Sequence, residues 1–310
     1  MGNTAFINWR RGRRLATVSI AAATVAVAIT GCSTHPGTNT AAAGNLPAKN
    51  ISQWVMPLDQ YIQTEAESHA HDYAEALLQE PCMAKSGYAW NVPWQDTSSF
   101  GSASLNAAGR SVFNPSLAGE WGYHLAPTTD TSLAAWHAWE PQTINLSASE
   151  QSTFDSCLQQ SRKQLPLLPG NDLNFASGLG QSAFEDAQHD SKVTAAAAKW
   201  RQCMAPAGVS DLPQTPATMP SDSVVHEFGI DNGQIPVAAP IVSAAEKKLA
   251  VMDANCRVSS GYQQAAYTAE WDAQVALVGK NADQLSRVAS ALKKNNAQVA
   301  AVVAAHAPKH

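Results

Sequence analysis

The chain is 310 residues long and carries 25 acidic against 20 basic side chains, a formal charge of −5. Four of those basic residues, Arg10, Arg11, Arg13 and Arg14, fall in the first 31 positions, where there is no acid, so the remainder is more acidic still. That balance argues against nucleic acid as a partner, because phosphate binding needs a basic face.

The arginines precede an uncharged run over residues 15–29, the order of a charged n-region and an apolar h-region in a secretory signal. About fifteen uncharged residues are too few for a bilayer-crossing helix, which needs roughly twenty. The run ends Ile29-Thr30-Gly31-Cys32, which resembles the lipobox of bacterial lipoproteins. The expectation is a signal peptide over 1–31, cleavage before Cys32 and lipid on its thiol, with two or more acyl chains giving stable membrane attachment. This places the rest of the chain on the extracytoplasmic face of the bacterial cell membrane. Residues 32–54, rich in Ser, Thr, Pro, Gly, Asn and Ala, read as a flexible tether.

A mostly helical domain over 55–306 follows. Leu58, Ile62, Ala66, Ala70, Tyr73 and Leu77 recur at helical spacing, which predicts a first helix, kinked or ended near Pro81 and closed by Gly87. Residues 88–140 lack that periodicity and are rich in aromatic rings, including Trp90, Trp94, Trp121, Tyr123, Trp136 and Trp139. A capped helix carries Cys157, a Pro/Gly/Asn-rich linker extends through Gly180, and an Ala-rich helix runs from about Ser191 to Cys203. A second irregular insert covers 209–240. From Ser243 to His306 there is no proline, which predicts one long helix or two in series, interrupted at Gly261 and Gly279.

With Cys32 assigned to lipid, Cys82, Cys157, Cys203 and Cys256 form an even set in an oxidising compartment and imply two disulfides. Spacing alone does not choose among the three pairings. Cys82 and Cys203 each begin C-M-A-x-x-G, while Cys157 and Cys256 each follow an S-A-x-E capping box. The chain therefore reads as two copies of a helix-insert-helix unit, over about 55–165 and 190–306, and the simplest pairing lies within each copy. The expected fold is mainly α: antiparallel helices with irregular inserts, two duplicated units stapled by disulfides, and a long C-terminal helix.

The second copy contains Trp200-x-x-Cys203-Met204-x-x-x-Gly208 and Glu246-x-x-x-Ala250-x-x-Asp253-x-x-Cys256. These segments resemble a group of uncharacterised envelope lipoproteins of high-GC Gram-positive bacteria, a likeness that covers most of residues 55–295. The resemblance implies location and fold and brings no activity with it.

No residue set points to catalysis, a metal or a cofactor. His69 and His71 stand two apart on a helix, about 200° around its axis, whereas a helical metal pair needs i, i+3 or i, i+4 spacing, so Glu65, Glu67, His69, His71 and Asp72 read as a solvated polar face. His306 and His310 read as part of a frayed end. A Ser/His/Asp triad drawn from His124, His137 or His226 lacks the G-x-S-x-G elbow that would mark a nucleophile. Gly178-Leu179-Gly180 reads as a turn, Asp253 with Arg257 as an i, i+4 pair, and Glu246 as a capping residue. The aromatic insert is the candidate ligand platform, since exposed Trp and Tyr faces stack on sugars. The leading expectation is a non-enzymatic binding protein for an envelope protein complex or cell-wall glycan; the alternative is an envelope hydrolase using an unrecognised serine or carboxylate.

Overall fold

In a computed structural model of the chain, residues 46–98, 100–230 and 235–309 are described. The signal segment, Cys32, most of the tether and His310 lie outside the described residues. The described chain is helical, with two isolated antiparallel bridges, Asn50 with Val55 and Leu105 with Ser111, as its only β pairing. None of these helices is long and apolar enough to cross a membrane.

Helix α1 spans Glu65–Lys85. It starts later than the apolar periodicity predicts because Thr64 and Glu67 form a reciprocal capping box: the Glu67 N–H donates to the Thr64 hydroxyl (3.1 Å) and the Thr64 N–H to the Glu67 carboxylate (2.8 Å). Leu58 and Ile62 precede the helix, packing beside Ala176, Val278 and Leu285. Nor does Pro81 end α1, which runs one turn further to Lys85 with Cys82 tied to the neighbouring helix α5 (Ala148–Gln164).

Three short helices, α2 (Pro115–Trp121), α3 (Leu133–Trp139) and α4 (Pro141–Ile144), punctuate the first insert before α5, whose Ser147 and Glu150 make the predicted capping box. Helix α6 (Gly170–Gln188) then occupies the stretch whose composition predicts a linker and a turn. Its glycines and two asparagines disfavour a helix intrinsically, but Ala176, Gly180, Ala183 and Ala187 make a small-residue face that packs against α10 (Tyr262–Lys280), and tertiary burial overrides propensity. Helix α7 (Ser191–Met204) is capped by Asp190, and α8 (Asp222–Phe228) sits in the second insert.

The C-terminal region contains three helices in place of one or two: α9 (Ala244–Ser259), α10 and α11 (Ala282–His306). The breaks fall at Gly261, with φ +76°, and at Asn281, while Gly279 remains inside α10. The 25-residue α11 is the longest element and continues helically to His306.

Cys82–Cys157 joins α1 to α5 and Cys203–Cys256 joins α7 to α9, each with Cα atoms 5.7 Å apart. The repeated C-M-A-x-x-G now has a physical reading. Met83 and Met204 are both fully buried in the clusters that hold Cys157 and Cys256, and Gly87 and Gly208 both take left-handed φ, +86° and +71°, just beyond their helices. Each copy thus uses the same half-cystine, core thioether and glycine exit.

Helix α1 packs on α5 and on α11, and the aromatic insert covers it as well. At the N-terminal edge, Leu46, Ile51 and Trp54 pack against Met56, Tyr267 and Trp271. The last residues of the predicted tether are therefore part of the folded body.

Candidate functional site

Residues from α7, α9 and the 113–123 segment converge on one buried carboxylate. Asp253, fully buried on α9, accepts the Trp200 indole N–H from α7 at 2.8 Å and the Nε and Nη2 of Arg257 at 2.9 and 2.8 Å, and the Tyr123 hydroxyl donates to it at 3.3 Å. Arg257 also stands 4.5 Å over the Phe113 ring, which stacks on Tyr123 with centroids 5.4 Å apart. Burial, reinforced by the adjacent Asp253 charge, pushes the Tyr123 phenol far above its ordinary pKa, so it remains a donor. With four donors on two oxygens, Asp253 has no lone pair left for a substrate proton. Its work is to hold α7, α9 and the 113–123 segment together.

Glu246, one turn into α9, has a second task that sequence reasoning missed. Ser243 accepts the Glu246 N–H at 3.1 Å, but the Glu246 carboxylate turns inward, accepting the Tyr123 N–H at 2.8 Å and facing His124 Nε2 at 3.4 Å. The approach is possible because residue 122 is glycine: a Cβ there would stand 2.2 Å from Glu246 Oε1. Ala250 and Ala118 meet below, closing α2 onto α9. The Trp121-Gly122-Tyr123-His124 segment of the first copy thus docks on the Glu246/Asp253 helix of the second.

A second buried acid anchors the N-terminal edge. Glu270 on α10 accepts the Trp54 indole N–H at 2.9 Å and the Gln274 amide at 3.0 Å, and pairs with Arg110. Gln274 in turn accepts the Leu58 N–H at 3.0 Å, and the Tyr267 hydroxyl accepts from Asn50 N (3.0 Å) while donating to Val55 O (2.8 Å). Nearby, burial pushes the Asp59 carboxyl up to about 6 against the opposing Met56 N–H and Arg110. The sequence signal for this set was a Glu and a Gln, four apart, on the apolar stripe of α10 that carries Tyr267, Trp271 and Val278.

Three of the insert's tryptophans turn inward. Trp90, Trp136 and Trp139 are buried, with Trp139 5.4 Å from Trp90 and 5.0 Å from Trp136, and with Tyr73 and Phe154 against them. They fill the core beneath the insert and offer no stacking face to a ligand. Trp94 and Trp121 are half-buried, and Tyr123 is engaged with Asp253.

His69 and His71 are not on a solvated face. Both are buried because α1 is covered on opposite sides, and desolvation holds both imidazoles below their ordinary pKa. His69 Nε2 is 3.3 Å from Gln95 Oε1, and its ring stacks on Phe100 at 4.4 Å. His124 faces Glu246, His137 Nδ1 is 2.8 Å from Glu140 on the surface, and His226 is exposed on α8. Among the described residues, no group of three His, Cys, Asp or Glu side chains is placed to hold a metal ion.

The described residues form a cleft of about 360 Å³ between the first turn of α1 and the 100–107 loop, with Thr64, Glu65, Phe100, Ser102 and Asn106 in its lining. A shallower apolar groove follows the outer face of α9 beside Cys203 and Cys256. No family model, curated protein or solved structure matches the chain.

Proposed function

We propose that this chain is a lipid-anchored binding protein of the bacterial cell envelope, presenting a rigid helical body to an envelope protein or to cell-wall polymer. The observation that carries the reading is the pairing of Cys82 with Cys157 and Cys203 with Cys256, which takes up every cysteine except Cys32. Two structural disulfides suit an exported protein. The one remaining thiol stands at the end of an apolar run, in the Ile29-Thr30-Gly31-Cys32 context that resembles a lipobox.

The segments similar to uncharacterised envelope lipoproteins support the same address. Their Trp200, Glu246, Asp253 and Cys256 are consumed in holding helices together, so the likeness speaks for a shared scaffold and leaves binding to other surfaces.

The test is metabolic labelling with a palmitate analogue in a bacterium that processes lipoproteins, followed by membrane fractionation. The wild-type chain is expected in the membrane fraction carrying label, and Cys32→Ala is expected to lose the label. Equal labelling of the two would overturn the reading.

A further inference from the structure

We propose that the cleft between the first turn of α1 and the 100–107 loop binds a saccharide ring, with Phe100 as the stacking face and Glu65 as the acceptor for its hydroxyls. The inference rests on the envelope-binding reading and names the ligand class and its place.

A pyranose presents an apolar C–H face and a rim of hydroxyl donors, so its site needs one aromatic face and acceptors beside it. Phe100 lines the cleft and is half-buried. One of its faces is covered by the His69 ring, 4.4 Å away and 14° from parallel, and the part of the ring that is not packed on the core lines the cleft. The stack is held from behind: His69 meets Gln95, whose amide donates to the carbonyls of Trp94 (2.7 Å) and Ser132 (3.2 Å), and Trp136 meets His69 edge-on at 5.2 Å. A platform fixed in this way loses little freedom when a ligand arrives.

Glu65 supplies the acceptors. It is exposed at the cleft, with Oε1 leaning over Gly109, 3.3 Å from where a Cβ would stand. Among the described residues its carboxylate is engaged by no hydrogen bond or ion pair, unlike Glu67 in the same turn, which caps the helix. Two carboxylate oxygens suit a pair of neighbouring hydroxyls. The other polar side chains are spent on the wall itself. Ser102 donates to the Ala126 carbonyl at 2.6 Å, and Asn106 accepts from the Ala108 and Arg110 N–H groups at 3.0 and 2.9 Å. The cleft lining carries a carboxylate and no Lys or Arg, which disfavours phosphate and anionic lipid headgroups. Its size falls at the small end of ligand sites, roughly 300–1,000 Å³.

The test uses the detergent-solubilised, disulfide-intact protein, titrated calorimetrically with chitotetraose as an uncharged β-linked probe, with retention on purified peptidoglycan sacculi as a second measurement. Chitotetraose is expected to bind, with affinity at least tenfold lower in Phe100→Ala and several-fold lower in Glu65→Gln. Trp121→Ala is expected to leave binding unchanged. Glu65 is exposed, so Glu65→Gln keeps the test open should Phe100→Ala fail to fold. Binding that survives both substitutions, or the absence of chitotetraose binding, would overturn the assignment of the cleft. Sacculus retention that persists in that case would preserve the envelope-binding reading and send the search to another surface; loss of both measurements, with unlabelled Cys32, would remove both.

Discussion

Gly122 takes φ +61° in the one place where a carboxylate must reach the backbone. Any side chain there meets Glu246 Oε1 and Val242 Cγ1 at 2.2 and 2.8 Å and also pays for a left-handed conformation. Gly122→Ala is therefore expected to lower stability by about 2–4 kcal/mol, combining backbone strain with the loss of a buried charge-assisted hydrogen bond. Gly178 on α6 makes the control, because a Cβ there meets nothing within 4 Å and φ is ordinary. Gly178→Ala is expected to raise stability by about 0.5–1 kcal/mol. Urea unfolding of the two variants gives both numbers, and equal effects would show that the Glu246 contact carries no weight.

Among the elements, the two disulfide-linked helix pairs do equivalent work in the two copies. Their covalent loops span 75 and 53 residues, and restricting the unfolded chain to that extent stabilises by roughly 4 kcal/mol for each bridge. Replacing Cys82 and Cys157 together by alanine is expected to lower the unfolding free energy by about that amount, and replacing Cys203 and Cys256 by a similar amount, read from denaturant midpoints. The pairing was legible in the sequence because C-M-A-x-x-G and S-A-x-E recur, and each recurring residue has a local duty: bridge, buried thioether, left-handed exit, cap. Helix α6 was not legible. Its glycines carry the composition of a loop, and only the facing surface of α10 makes them useful as small residues for close approach. The same limit hid the Glu246–Tyr123 contact, since a capping motif cannot announce that its carboxylate has a partner 123 positions away. The aromatic insert misled in the opposite direction. Its ring content suits a ligand platform and a core equally, and burial alone separates Trp90, Trp136 and Trp139 from Phe100.

For the molecule as a whole, buried titratable groups set opposing slopes with pH. His69 and His71 are held below the ordinary imidazole pKa, so the unfolded chain takes up protons first, and their contribution to stability is lost as pH falls below about 6.5. Asp59 acts in reverse: with its folded pKa at about 6 against an ordinary 3.8, its contribution is present at low pH and lost as pH rises through 6. The thermal midpoint of Asp59→Asn is expected to exceed that of the wild-type chain at pH 7, with the difference vanishing by about pH 4. A difference independent of pH would show that the carboxyl is ordinary. The disulfides carry one more consequence. Each closes a covalent ring around an irregular insert, the second ring containing Ile241 at 97% exposure. A protease that cuts within either insert opens a ring without releasing a fragment, so a nicked molecule stays one covalent body until a reductant separates its pieces.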